Sequence, residues 1–234
     1  MSKLTVIGFD ADDTLWQNEK FFRLTEAGFT NLLSEYSTYS NLREVLLQTE
    51  RINLKRYGFG IKGFVLSMIE TAIDVTEGRI PAAVIQQILD LGKELQNHPI
   101  ELMPGVGDVV EAVARKHTVV LITKGDLLDQ ERKLAQSGLG SMFDGVEIVS
   151  DKTPDVYERT FREHGDGPEK AMMVGNSVKS DVVPALQSGS WAALVPHDLT
   201  WELEHAEIPE QHPRFRKMTC LGDLPDLIER LPAS

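Results

Sequence analysis

Of 234 residues only one, Cys220, is a cysteine, so no disulfide can close within the chain and no Cys/His zinc pattern can be drawn. That usage fits a reducing compartment. The expected setting is cytoplasmic, with Cys220 as a packing residue. Positive charge is also scarce: 24 Lys and Arg against 36 Asp and Glu leave a formal net charge of -12. Nucleic acid and anionic membrane are thereby excluded as main partners, since both are bound through clustered cations. No apolar run approaches the roughly 18 residues of a membrane span. The opening apolar run ends at Asp10, too early for a signal peptide, so no leader is expected. The six histidines, His98, His117, His164, His197, His205 and His212, show no metal-ligand spacing and read as surface or packing residues. Internal repeats and low-complexity linkers are lacking too. A hydrophobic content of 41% nonetheless supports a proper core, in one large domain or one domain with an insert.

The most informative stretch is an apolar strand, Leu4 to Phe9, that runs directly into Asp10, Asp12 and Asp13. Side chains alternate along a strand, so Asp10 and Asp12 leave its carboxyl end on the same side, where two like charges invite a cation. Magnesium, which takes hard oxygen ligands, is one guest that fits. The same residues also suit the N-cap of a following helix, with Thr14 assisting, and the segment by itself leaves both readings open.

After Trp16 the pattern turns helical for some ninety residues. Helices are expected over Asn18–Tyr36, with Asn18 as cap, and over Ser40–Arg56, Lys62–Val75 and Pro81–Gln96. Residues 17–102 therefore read as an inserted all-helical domain, and 1–16 with 103–234 as the domain it interrupts. From Met103 strands and helices alternate. Strands are expected at Thr118–Thr123, Val146–Val149, Ala171–Val174 and Ala192–Val195, with helices at Gly105–Lys116, Asp126–Ser137, Pro154–His164, Ser180–Ser188 and Asp223–Leu231. The stretch Pro196–Pro213 is irregular. Continuous apolar strands alternating with helices imply an α/β fold, a doubly wound, parallel, five-stranded, Rossmann-like sheet.

In such a sheet ligands bind beyond the carboxyl ends of the strands. Polar residues gather after each one: Asp10 and Asp12; Thr123, Lys124 and Gly125; Ser150, Asp151 and Lys152; Gly175, Asn176, Ser177 and then Asp181. In order and spacing these resemble the four motifs of the haloacid dehalogenase (HAD) superfamily: Asp10-x-Asp12-x-Thr14, Thr123 after an apolar strand, Lys152 two residues before Pro154, and Gly175-Asn176-Ser177 through Asp181. The helical insert resembles that family's C1-type cap, which closes over the site and selects the substrate. The resemblance also implies a central first strand, in order 3-2-1-4-5.

The chemistry it implies is a magnesium-dependent phosphatase acting on a small phosphorylated metabolite. Asp10 would be the nucleophile that forms an aspartyl-phosphate. Asp12 would be the general acid and then base, protonated while Asp10 is ionised. Thr123 and Lys152 would hold the phosphoryl group, with Lys152 also offsetting Asp10, and Lys124 would add a contact to the substrate phosphate. Mg2+ would be held by Asp10, the Asp12 backbone carbonyl, Asn176 and Asp181, the last directly or through water. Asn176 departs from the Asp often found there, which predicts weaker metal affinity. Asp13 is expected to be a solvated or capping acid, and Thr14 to fix the loop. The resemblance also spans 2-haloacid dehalogenases, phosphomutases, and a non-catalytic binding protein that keeps the fold. Asp12 and Asp181 disfavour the dehalogenase, which has no leaving alkoxide to protonate and no need of a metal. The partner is thus a small phosphate ester, and base rates favour a monomer or homodimer.

Overall fold

A computed structural model describes residues 4–36 and 41–232. The elements, in chain order, begin with β1 (Val6–Phe9), α1 (Glu19–Leu33), α2 (Leu42–Tyr57), α3 (Ile61–Val75) and α4 (Ala82–Gln96). Next come α5 (Val106–Ala114), β2 (Thr118–Lys124), α6 (Leu127–Ser137), β3 (Gly145–Val149), α7 (Pro154–Glu163) and β4 (Ala171–Gly175). A π-turn (Val178–Val182) then leads into α8 (Val183–Gln187), followed by β5 (Trp191–Leu194), β6 (Phe215–Lys217) and α9 (Leu224–Glu229). The expected start of α2, Ser40, lies outside the described residues. None of the described helices is long and apolar enough to cross a membrane.

The chain divides into two compact units, Met1–Gln17 with Ile100–Ser234, and Asn18–Pro99. In the second unit α1 to α4 share a core of Phe21, Phe29, Leu33, Leu46, Phe64, Met68 and Ile88. These positions recur at helical spacing, so each helix buries one stripe. Asn18 precedes α1 without making a side-chain capping bond.

The first unit is built on a parallel sheet in the order β3-β2-β1-β4-β5-β6. β1 is completely buried, with Ile7 and Phe9 facing one apolar cluster and Val6 the other. That double burial is why the strand reads as an unbroken apolar run. Its last residue, Phe9, pairs with Leu121 on one side and Val174 on the other. Asp10 therefore leaves the sheet between β2 and β4, where the strand order reverses. The chain departs and returns side by side: Gln17 N–H donates to Glu101 O (2.9 Å) and Met103 N–H to Leu15 O (2.8 Å). A long excursion thus enters and leaves this unit through one short ladder.

Two differences from expectation have clear causes. The sheet has a sixth strand, β6, whose Phe215-Arg216-Lys217 is only three residues long and carries two cations. An edge strand needs no apolar run, and cations there discourage further pairing. The helix expected from Ser180 instead begins as the π-turn, because Ser177 O accepts from both Asp181 N–H (2.9 Å) and Val182 N–H (3.1 Å). Pro184, lacking an N–H, stands at the start of α8.

Candidate active site

Asp10 is buried, and its backbone N–H donates to Val174 O at 2.8 Å, which fixes the residue at the mouth of β1. Lys152, from the loop after β3, sends its ammonium to Asp10 Oδ1 (2.5 Å) and to Asp181 Oδ1 (2.7 Å). The three charges are buried together. Burial, and next the neighbouring Asp181, push the Asp10 carboxyl up from 3.8 to about 7 against the pull of Lys152. Burial would lower the Lys152 ammonium, but Asp10 and Asp181 outweigh it and raise the value above 10.5.

Thr14 ties the first strand to the fourth. Its hydroxyl lies 3.0 Å from Asp10 Oδ2 and 3.3 Å from Asn176 Oδ1 as donor, and accepts from Asn176 N–H at 3.1 Å. One hydroxyl proton cannot serve both oxygens, so two hard acceptor atoms converge on a point that Thr14 satisfies by half. The π-turn turns Asp181 back toward the strand, where its Oδ2 accepts from Ser177 N–H at 2.9 Å. Gly175 makes room for it: a Cβ there would stand 2.2 Å from Asp181 Oδ2. Two buried carboxylates against one ammonium, with the Asn176 amide oxygen alongside, form a hard-oxygen, electron-rich set that suits a divalent cation.

Asp12 projects toward α6. Its Oδ1 accepts from Trp16 Nε1 (2.7 Å) and Lys133 Nζ (3.1 Å), and its Oδ2 from Gln130 Nε2 (2.8 Å) and Lys133 Nζ (3.2 Å). Thr123 is buried at the end of β2, in register with Ile148. Lys124, expected at a substrate phosphate, directs its ammonium to Ser180 Oγ (2.6 Å) and Glu204 Oε1 (2.5 Å). Glu204 comes from the irregular stretch after β5, and its Oε2 accepts from Ser177 Oγ (2.6 Å) and Ser180 Oγ (2.5 Å). Tyr157 OH donates to Ser180 O at 2.8 Å; burial first, then Asp181 and Asp10, push its hydroxyl well above 10.

The sheet edge therefore gathers Asp10, Lys152, Asn176 and Asp181 into one contact network through Thr14, with Asp12 and Lys124 anchored in networks beside it. Two expectations need correcting. Asp13 is neither solvated nor a cap: it is buried in the left-handed region (φ 62°), with His197 Nε2 at 3.7 Å from its Oδ1. Aspartate tolerates that backbone better than most residues. Cys220 is exposed, so packing is not its role. Sequence reasoning missed Gln130, Lys133 and Glu204 altogether. The spacing of Asp129, Gln130 and Lys133 on one helical face was the available signal for α6.

The family model of the haloacid dehalogenase-like hydrolases matches residues 4–189. A haloacid dehalogenase-like family hydrolase from Xanthomonas campestris is 40% identical, with a TM-score of 0.86 over 97% of this chain and 95% of that one. Glyceraldehyde 3-phosphate phosphatase of Methanothermobacter thermautotrophicus is 26% identical over 218 residues, 87% of this chain and 91% of the relative. The HAD-hydrolase YfnB of Bacillus subtilis, in a structure bound to magnesium, shares the fold at a TM-score of 0.66 and 16% identity, over 97% of this chain and 99% of that one.

Proposed function

The chain belongs to the haloacid dehalogenase-like hydrolases, and on that premise we propose that it is a magnesium-dependent phosphatase of a small phosphorylated metabolite. The observation that carries this reading is the buried Asp10–Lys152–Asp181 cluster at the strand-order reversal, with Asp12 two residues from the nucleophile. The relative named as a glyceraldehyde 3-phosphate phosphatase supports a phosphate monoester as substrate.

In this reading Asp10 attacks phosphorus through a carboxylate oxygen, the P–O bond to the alcohol breaks, and the leaving oxygen takes a proton from Asp12. Asp12, now a base, takes a proton from the water that attacks the aspartyl-phosphate; inorganic phosphate leaves and Asp10 is regenerated. The Thr123 hydroxyl and the Lys152 ammonium hold phosphoryl oxygens, and Lys152 also offsets Asp10. The Lys124 ammonium meets a phosphate only by loosening its hold on Glu204 and Ser180, so a secondary contact suits it. The Asp10 side chain, the Asp12 carbonyl, Asn176 and Asp181 would hold magnesium, which when bound supplies charge neutralisation at the phosphoryl group and favours ionised Asp10. The Asn176 amide adds an oxygen without a charge, consistent with modest affinity.

The test is hydrolysis of 4-nitrophenyl phosphate with and without magnesium, by the wild type and Asp10→Asn, followed by a metabolite panel that begins with glyceraldehyde 3-phosphate. Metal-dependent turnover that the substitution lowers by at least about 1,000-fold is expected. Absence of monoester turnover in folded, metal-loaded protein would shift the reading to a dehalogenase or a binding protein.

A further inference from the structure

Resting on that reading of Asp12, we propose that Lys133 and Gln130 of α6 are positioning residues for proton transfer, setting the place and plane of the Asp12 carboxyl. The ammonium of Lys133 spans both oxygens of Asp12, at 3.1 and 3.2 Å, while Gln130 Nε2 and Trp16 Nε1 each take one. Three donors from two separate segments therefore fix both the place and the plane of one carboxyl. Lys133, Gln130 and Trp16 are all buried, so none of these contacts is a mobile surface pair.

The helix is itself braced for this purpose. Asp126 caps α6 by accepting from Asp129 N–H, Asp129 pairs with Arg132 (2.8 Å), and Asp129 Oδ2 stands 3.4 Å from Lys133 Nζ. Gln130 and Lys133 lie one turn apart and present their ends to the same carboxyl. The amide of Gln130 has only one sensible orientation, because Nε2 donates to the Lys124 carbonyl (3.2 Å) as well as to Asp12. Turning it over would set an oxygen against two acceptors. In the orientation adopted, Gln130 Oε1 is buried without a hydrogen-bond partner among the described residues, while the donor stays on Asp12. Gly125, at φ 144°, allows the close approach: a Cβ there would stand 3.0 Å from Gln130 Nε2.

A proton-donating residue matters in proportion to how poor the leaving group is, and that separates positioning from scaffolding. The quantity to measure is kcat/KM, which reports the first irreversible step, for an alkyl phosphate and for 4-nitrophenyl phosphate. The enzymes are the full-length wild type, Lys133→Met, Lys133→Arg, Gln130→Met, Asp12→Asn and Asp10→Asn. Lys133→Met and Gln130→Met are expected to lose about 10- to 100-fold on the alkyl ester, at least tenfold more than on the aryl ester, in the same pattern as Asp12→Asn. Lys133→Arg, which keeps the charge and the donors, is expected to recover most of the loss. Equal losses on the two esters, or no loss on either, would overturn the proposal. Should Lys133→Met fail to fold, Gln130→Met decides alone, since it removes one donor and no charge. Failure of the underlying reading looks different: Asp10→Asn would stay active, or Asp12→Asn itself would show no dependence on the leaving group.

Discussion

The proposed nucleophile Asp10 has to be ionised, yet the fold buries it beside a second carboxylate. Its carboxyl is pushed up to about 7 by burial and then by Asp181. A raised carboxyl pKa means that the folded state keeps a proton the unfolded chain has already lost. The stability this contributes is complete below about pH 3.8 and declines as pH rises to about 7. Metal-free wild type should therefore lose on the order of 1–4 kcal/mol between pH 4 and pH 8 by urea unfolding, and Asp10→Asn should show a flatter profile. A profile unchanged by the substitution would place the titration elsewhere. At this scale the sequence was most legible at Asp10, Lys152 and Asn176, polar residues placed after apolar strands that the fold brings into one contact network. It was least legible for Lys133 and Gln130, because a polar residue on a helix reads the same whether it faces water or a carboxylate.

Among the elements, the short turn Glu202–Glu204 is tied down by Glu204, which joins the stretch after β5 to Lys124, Ser177 and Ser180. Burial would raise its carboxyl, but Lys124 and the three hydrogen bonds from Lys124, Ser177 and Ser180 bring it below 4.5. The stability this pair adds is present above pH 4.5 and is lost as pH falls below that value. Glu204→Gln should cost about 3 kcal/mol at pH 7, with the deficit shrinking in acid and with faster hydrogen exchange across residues 196–213. Neither Glu204 nor β6 could be read from periodicity. Glu204 belongs to an irregular stretch, and β6 is an edge strand whose cations mask it. The π-turn was hidden for a related reason: it depends on hydrogen bonds at Ser177, whereas the sequence shows only an ordinary helix start.

For the molecule as a whole, the unit Met1–Gln17 with Ile100–Ser234 is the one that would gain from a cation, since its centre carries more buried carboxylate than ammonium. Magnesium at about 100 times its dissociation constant should add about 2.7 kcal/mol, raising the melting of the sheet by about 5–10 °C. Chelation should reverse the shift, and Asp181→Asn should diminish it. A scanning calorimetry trace indifferent to magnesium in the wild type would remove the metal from the reading of this site.

The amino-acid sequence alone determined the parallel sheet, the helical excursion and the row of polar residues beyond the strands, because apolar periodicity and strand direction are local properties of the chain. Tertiary structure alone decided which of those residues meet. Strand order brought β1 between β2 and β4 and so joined Asp10 to Lys152, 142 positions away, while α6 carried Lys133 to Asp12, 121 positions away. A buried charge settles only beside its partner, and that partner is chosen by the folding of the whole sheet rather than by any neighbour in sequence.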